Sequence, residues 1–352
     1  MKTYSTLNTD LHAVAAELAA SLPGKPTFVL YFHSTRFDAA AVAALLSTTF
    51  PGVPALGCST SGELVAGAML DGGLVVAAFA ADEVPKAEVI AISGTDVKSA
   101  FAKLTSAFDS VDFSTYVGLI LMDGMSGKEE GVLESLGDCT DLTFVGGSAG
   151  DDLKFTKTDV FANGQQAAGV GALALLHVPA GFDLIKTQSF CTTGKTLTPT
   201  RVDGAARAVL EFDGKPAAQA YAAAVGANSA EAASGAFMNS PLGLMAGDEP
   251  FVRSPQRFDG DKLHFYCGVN EGVELAVLKG TDIVADTAAE LAKYSFRSLV
   301  VFNCILRTLD LKAQGRTEAY GKLFTKPTIG FSTYGEAYIG HINQTATILA
   351  LH

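Results

Sequence analysis

The sequence predicts an α/β fold with mixed sheets, in which strand–helix–strand units that end in a glycine loop are repeated in two packed modules. Apolar runs alternate with helical patterns early in the chain and follow one another directly later, which is typical of mixed rather than purely parallel sheets. With 352 residues, 48% of them hydrophobic and 18% charged, the chain can bury a large core in two domains. An internal repeat supports the same fold.

The repeat is clearest in two loops at opposite ends of the chain. Residues 54–64 read PALGCSTSGEL and residues 327–337 read PTIGFSTYGEA, so both follow the pattern P-x-[LI]-G-x-S-T-x-G-E. Predicted strands at 28–32 and 299–302 precede them, each followed by a helical pattern. A weaker third copy ends in TFVGGSAGD at 143–151. We therefore expect three related loops. In chain order they are the first (57–63), second (146–152) and third (330–336) loops.

The remaining elements are predicted from local patterns in chain order. An amphipathic helix ends at Pro23 and Gly24, which stop helices. Strands are predicted near 27–33, 74–80, 87–92, 117–122, 155–162, 168–177, 183–190, 237–245, 249–258, 262–266, 272–277, 299–304 and 346–351, and helices near 39–46, 96–108, 127–136, 217–224, 282–294 and 308–324. The polar, turn-rich stretch 191–204 predicts a junction between modules at 1–195 and 196–352.

Charge and hydropathy exclude several classes of partner. The net charge is −12 and no basic run occurs, so nucleic acid and anionic membrane surfaces are poor partners. The N-terminus lacks an apolar signal core, and the longest apolar stretches are too short to span a bilayer. We expect a cytoplasmic protein without membrane insertion. The 5 cysteines are scattered without a C-x-x-C pair, so no metal site is expected.

The loops themselves predict a site for a small polar or zwitterionic ligand. Glycines allow close approach to the backbone, loop N–H groups can hold an anion, and Ser and Thr add hydrogen-bonding groups. Glu63 and Glu336 supply carboxylates that suit an ammonium or guanidinium group. In the alternative, the hydroxyls only cap helices and the glycines only turn the chain. We expect the ligand where the first and third loops meet, with contacts from Gly57, Cys58, Ser59, Thr60, Glu63, Ser148, Asp151, Gly330, Ser332, Thr333, Glu336, His341 and Asn343.

A competing interpretation is a Ser-dependent acyl hydrolase. Residues 146–150, GGSAG, match the nucleophile-elbow pattern G-x-S-x-G, with Ser148 as nucleophile and His177, His264 or His341 as candidate base. The five-residue pattern is common by chance in a chain with 36 glycines, and no HGGG-type oxyanion motif precedes it. Ligand binding rather than catalysis is therefore expected.

The motifs resemble those of the FIST family of bacterial signal-transduction proteins. GCSTSGE at 57–63 and GGSAGDD at 146–152 are similar to signatures of its N-terminal module, and FNCILR at 302–307, GFSTYGE at 330–336 and HINQT at 341–345 to its C-terminal module. The resemblance implies a sensory domain that binds a small ligand, for which amino acids or their derivatives have been proposed. The chain also resembles a branch of the family whose members stand without an output domain. Members of that branch bind haem, sense nitric oxide and act on separate histidine kinases. If haem is the ligand of this chain, His341 is the histidine expected to bind the iron, while the residues alone leave the cofactor unknown.

Overall fold

The computed structural model describes residues 1–352, which form two compact units. Unit 1 comprises Met1–Thr187, Ala288–His341 and Ala346–His352, and unit 2 comprises Gln188–Thr287 and Ile342–Thr345. The predicted mixed α/β class is confirmed by nine helices and 27 strands in sheets that combine parallel and antiparallel pairs. Each unit is discontinuous in sequence, so the module boundary between 195 and 196 stays a prediction.

The elements are numbered here in chain order. The first are β1 (Lys2–Thr6), α1 (Leu11–Ser21), β2 (Phe28–Ser34), α2 (Ala39–Thr49), β3 (Ala55–Thr60), β4 (Glu63–Val65), β5 (Ala68–Leu70), β6 (Leu74–Phe79), β7 (Lys86–Ala91), α3 (Val97–Ser106), β8 (Tyr116–Met122), α4 (Glu129–Gly137), β9 (Phe144–Ser148), β10 (Val160–Ala162), β11 (Gln165–Gln166), β12 (Gly171–His177) and β13 (Phe182–Gln188). Next come β14 (Phe190–Leu197), β15 (Pro199–Asp203), β16 (Ala208–Phe212), β17 (Lys215–Pro216), α5 (Ala217–Val225), α6 (Ala230–Ser234), β18 (Leu242–Ala246), β19 (Glu249–Arg253), β20 (Pro255–Asp259), β21 (Lys262–Phe265) and β22 (Leu275–Gly280). The chain continues with α7 (Ile283–Leu291), β23 (Ser298–Cys304), α8 (Ile305–Ala313), α9 (Thr317–Gly321), β24 (Thr328–Thr333), β25 (Glu336–Tyr338), β26 (Gly340–Ile342) and β27 (Thr345–Leu351).

Three six-stranded sheets, built almost wholly from unit 1, share one plan. Their strand orders are β1-β6-β2-β3-β10-β11, β7-β12-β8-β9-β25-β26 and β13-β27-β23-β24-β4-β5. In each sheet the third and fourth strands are parallel, and the second and third are antiparallel. The parallel pair carries a glycine loop at its carboxyl end, where open α/β sheets generally bind ligands.

Each glycine loop carries the chain out of its own sheet and into another. The first loop leads from β3 to β4, which pairs with β24; the third leads from β24 to β25, which pairs with β9; the second leads from β9 towards β10, which pairs with β3. The three loops therefore connect the three sheets in a closed circuit. The second loop, which ends the weakest copy of the repeat, occupies the same topological place as the other two.

The strands of unit 1 bury both faces. In β2, Phe32 lies in a central core with residues of all three sheets, 4.4 Å from Phe331 between ring centroids. The alternate residues Val29 and Tyr31 belong to a second cluster that includes residues of α1 and α2. Side chains of a strand alternate between faces, so this double burial explains why the strands read as continuous apolar runs rather than as polar–apolar alternation.

Unit 2 is built from two smaller antiparallel sheets and two helices. The sheets have the orders β14-β22-β18-β19 and β15-β16-β21-β20, with β17 beside β16. Residues of α5, β16, β21 and β22 share one apolar cluster in which Tyr221 and Phe212 are fully buried. None of the helices in the chain is long and apolar enough to cross a bilayer.

Several element predictions are wrong in detail. The strand predicted at 249–258 is divided into β19 and β20, and the stretch 191–204, predicted to be turn-rich, forms most of β14 and β15. The helix predicted at 308–324 is divided into α8 and α9, because Gly315 takes a left-handed conformation with φ of 66° between them. The strand predicted from residue 237 begins only at Leu242; the preceding residues follow the short helix α6, and Phe237 packs against Tyr221 instead. The strand predicted at 155–162 is limited to Val160–Ala162.

Candidate functional site

The three glycine loops are hydrogen-bonded to one another within unit 1. The Ser332 N–H donates to the Gly62 carbonyl oxygen at 2.7 Å, and the Ser148 N–H donates to the Gly335 carbonyl oxygen at 2.8 Å. The Gly150 N–H donates to the Ser59 carbonyl oxygen at 3.0 Å. Loops from opposite ends of the chain thus form one backbone cluster.

The glycine that opens each loop is required by close packing of the parallel strand pair. The registered pairs are Tyr31–Gly57, Ile120–Gly146 and Val301–Gly330. A Cβ atom would lie 1.8 Å from the Ile120 carbonyl oxygen at Gly146, 2.3 Å from the Val301 carbonyl oxygen at Gly330, and 2.5 Å from the Tyr31 ring at Gly57. No side chain fits at these distances, so packing alone accounts for the three glycines.

The two loop glutamates are buried and face their own loops. Glu63 Oε1 accepts a hydrogen bond from Thr60 Oγ1 at 2.5 Å, and Oε2 accepts one from the Gly73 N–H at 2.8 Å. Thr333 Oγ1 donates to Glu336 in the same way. Burial raises the pKa of Glu63 to about 8, against the lowering effect of these hydrogen bonds. Glu63 is therefore largely neutral at pH 7.

The aspartate of the second loop organises the residues that follow it. Burial by itself favours a higher pKa for Asp151, but hydrogen bonds outweigh it and hold the pKa below its ordinary value. They come from the Tyr334 hydroxyl at 2.6 Å and from the N–H groups of Phe155, Thr156 and Lys157. The charged carboxylate thus fixes the path of residues 151–157, here called the 151–157 segment.

Tyr334 of the third loop braces this segment. Its hydroxyl also accepts a hydrogen bond from the Leu153 N–H at 2.9 Å, and its ring stacks on Phe155 with centroids 5.1 Å apart. Asp152, Leu153 and Phe155 have φ between 52° and 61°, a conformation that is costly for residues other than glycine. The segment is held in this shape by contacts from the second and third loops.

A cavity of about 380 Å³ lies in unit 1, beside the carboxyl ends of β2 and β3 and the start of α2. Asp38 begins α2 and accepts a hydrogen bond from the Ala41 N–H at 2.8 Å. Most of the lining is polar: His33, Thr35, Phe37, Asp38, Ala39, Ala40, Ser59, Asp151, Lys154, Thr156, Lys157, Asp159, Phe161 and Gln166. The cavity therefore combines two lysines and several carboxylates with the N-terminal end of a helix, which favours anions.

The polar groups around the cavity are mostly paired with one another. Lys154 Nζ donates to Thr35 Oγ1 at 2.6 Å, and Lys157 Nζ lies 2.9 Å from the Asp159 carboxylate. Ser59 Oγ accepts from the Asp159 N–H at 2.9 Å. Only His33 departs from this pattern: its Nε2 atom is buried and has no hydrogen-bond partner.

Two of the predicted contact residues, Ser59 and Asp151, line this cavity, whereas those of the third loop do not. Ser332 Oγ lies 2.8 Å from Thr308 Oγ1, in a buried pair. The ring of His341 covers Gly335, at which a Cβ atom would lie 2.2 Å from the ring. Asn343 belongs to unit 2. Cys58 is fully buried in the central core, and burial raises the pKa of its thiol.

The geometry around Ser148 differs from a nucleophile elbow. Its hydroxyl is buried and has no hydrogen-bond partner, so no base is in place to activate it. The following N–H, of Ala149, donates to the Met122 carbonyl oxygen at 2.8 Å and does not face an open oxyanion site. The chain after Ser148 continues as a loop to β10, whereas an elbow leads into a helix.

Sequence reasoning missed the residues that give the cavity its character. His33, Lys154, Lys157 and Asp159 line it, and Tyr334 supports the 151–157 segment. His33 carried one usable signal, since it ends the first strand of a predicted parallel pair just before a helix. The lysines lie outside the repeated motif, and only the fold brings them to the end of β2.

Comparison with known families covers most of the chain. The FIST N domain matches residues 27–215 and the FIST C domain matches residues 217–338, so the matched ranges include all three loops. No curated protein matches the chain. FIST domains are sensory rather than catalytic domains of signal-transduction proteins. On the strength of these matches, the chain belongs to the FIST family.

Proposed function

We propose that the chain is a sensory module that binds a small zwitterionic, amino-acid-like molecule in the cavity of unit 1. The observation that carries this proposal is the cavity itself, about 380 Å³ in volume and lined by both signs of charge at the ends of two parallel strands. This volume is near the lower end of the range for small-ligand sites. It suits a metabolite of a few heavy atoms rather than a large cofactor.

The charges suggest how such a ligand is held. The carboxylate of the ligand is bound by Lys154 and Lys157, which line the same cavity. The ammonium group of the ligand lies on the side of Asp38 and Asp159. The ligand thus lies between the first loop and the 151–157 segment, and the third loop contributes indirectly through Tyr334.

Haem does not fit the candidate residues. A porphyrin needs a wide apolar slot, whereas most of the cavity lining is polar and the volume is small. His341 packs its ring over Gly335, which leaves no room for a metal on that side. We therefore propose no role for haem, and a Soret band in the purified protein would contradict this part of the proposal. That a separate protein such as a histidine kinase receives the signal stays a prediction.

A thermal-shift screen of amino acids, amines and small carboxylates tests the proposal. A ligand at about 100 times its Kd stabilises the folded state by about 2.7 kcal/mol, so at least one zwitterion is expected to raise the Tm by several degrees. Lys154→Met and Lys157→Met should each weaken its binding about ten- to a hundred-fold, because a charge-assisted hydrogen bond is worth about 1.5–3 kcal/mol.

The matched control is Lys322→Met, which removes a lysine on α9 that is paired with Glu318. This variant should bind like the native chain. The proposal fails if no zwitterion shifts the Tm, or if the shift is the same in the Lys154→Met and Lys157→Met variants as in the control.

A further inference from the structure

His33 is the one polar group of the cavity lining that combines near-complete burial with an unused ring nitrogen. Its exposed fraction is 1%, and Nε2 has no hydrogen-bond partner. Buried polar atoms in folded proteins are nearly always paired, so an exception calls for a physical reason. Because His33 is one of the residues that line a cavity of ligand size, a molecule bound there is the candidate for the missing partner.

The tautomer of His33 follows from its other nitrogen. Nδ1 lies 3.1 Å from the Ser34 carbonyl oxygen. A carbonyl oxygen only accepts hydrogen bonds, so Nδ1 must carry the proton and donate it. In the neutral ring Nε2 then has a lone pair and no proton. It can accept a hydrogen bond but cannot donate one.

We propose that His33 determines ligand specificity by accepting, at Nε2, a hydrogen bond from an amine or hydroxyl group that lies next to the ligand's carboxylate. This role rests on the proposed function of the cavity. It adds a requirement that the lysines do not impose, since a simple carboxylate satisfies Lys154 and Lys157 but offers nothing to His33. A ligand without the donor gains no hydrogen bond at Nε2, so it binds more weakly than a ligand that carries the donor.

The protonation state of His33 agrees with this role. Burial lowers the pKa of His33 below 6.5, and it outweighs the hydrogen bond to Ser34 and the nearby carboxylates of Asp159, Asp152 and Asp38. The other charged groups that line the cavity are Lys154, Lys157 and Asp151. The ring is neutral at pH 7. Protonation at lower pH turns Nε2 into a donor, so ligand binding is expected to weaken as the pH falls through the lowered pKa of the ring, which lies below 6.5.

The test uses three small probes that differ only in the group next to the carboxylate: L-alanine, L-lactate and propionate, which carry an amine, a hydroxyl and no donor. They are titrated into the native chain labelled with ¹⁵N in histidine and lysine side chains. Before addition, His33 is expected to show a protonated Nδ1 and an unprotonated Nε2. L-alanine and L-lactate should shift the Nε2 signal, and propionate should not.

Variants give the affinity readout. His33→Leu removes the acceptor and should weaken L-alanine binding about ten- to a hundred-fold while leaving propionate unchanged. His33→Gln retains an acceptor in its amide oxygen and should recover part of the affinity. Melting curves of both variants identify any loss of folding, and the titration of the native chain does not depend on either variant.

The outcomes separate the two proposals. If the probes shift the Lys154 signal but leave Nε2 of His33 unmoved, or if Nε2 is already protonated at pH 7, the role of His33 is overturned while the site survives. If no probe shifts either residue, the proposed ligand site fails and the role of His33 fails with it. A shift of Nε2 with L-alanine and not with propionate supports both.

Discussion

Gly146→Ala is expected to lower the free energy of unfolding by about 3–5 kcal/mol, at the upper end of the range for single substitutions. A Cβ at this position would lie 1.8 Å from the Ile120 carbonyl oxygen, which belongs to the backbone of the parallel neighbour. Backbone cannot rotate away as a flexible side chain can, so β8 and β9 must separate. The hydrogen bond from Ser148 to Gly335 lies on the same strand, and the loop cluster should loosen with it. Urea unfolding measured by circular dichroism checks this result.

The control comes from the helix of the same repeat. Gly131 is an exposed residue of α4, and a Cβ there meets nothing within 4 Å. Because alanine is favoured over glycine in a helix by up to about 1 kcal/mol, Gly131→Ala should stabilise the chain slightly. If Gly146→Ala were as harmless as this control, close strand packing would not be the reason for the loop glycines.

Glu63→Gln should remove a large pH dependence from the stability. The pKa of Glu63 is about 8 in the folded chain and 4.5 as the ordinary value, so the folded state binds the extra proton between these two values. The stabilisation that protonated Glu63 contributes is fully present below about pH 4.5 and is lost as the pH rises through 8. At about 1.4 kcal/mol per unit, the native chain should lose about 4 kcal/mol between pH 5 and pH 8 through this group. Glutamine resembles the protonated acid, with its oxygen facing Gly73 and its amide facing Thr60.

Melting curves of the native chain and the variant at several pH values from 5 to 9 test this account. We expect the variant to be the more stable of the two at pH 8 and the difference to shrink towards pH 5. Glu318→Gln is the control, because the Glu318 side chain is 79% exposed and should not change the slope in this range. If the melting temperatures of the native chain and of the Glu63→Gln variant changed with pH in the same way, Glu63 would be ionised in the folded state.

Much of the fold could be predicted because the repeat is visible in the sequence as long apolar runs followed by helical patterns. The strands Phe28–Ser34, Tyr116–Met122 and Ser298–Cys304 are long apolar runs, and each stands before a helix. What could not be predicted is the exchange of short strands among the sheets. Glu63–Val65 and Glu336–Tyr338 have three residues each, too few for a periodicity, and their partners lie far away in sequence.

The candidate site was only partly predictable for a similar reason. The motif pointed to Ser59 and Asp151, which line the cavity. The same motif suggested a ligand contact for Glu63, but burial and the Gly73 N–H depend on the fold and leave no trace in the motif. The charges of Lys154 and Lys157 reach the cavity because Asp151 turns the chain there. A loop pattern shows which groups are present and not which way they face.

Filling the cavity tests the central claim most directly. Ala40 lies on an exposed part of α2 and lines the cavity, whereas Ala44, one turn later, is exposed and does not. Ala40→Phe and Ala44→Phe should have similar melting temperatures, because neither side chain enters the core. Calorimetric titration with the zwitterion that most stabilises the native chain should show binding lost in Ala40→Phe and unchanged in Ala44→Phe. Native-like affinity in a folded Ala40→Phe variant would contradict the account, since the ligand would then bind elsewhere.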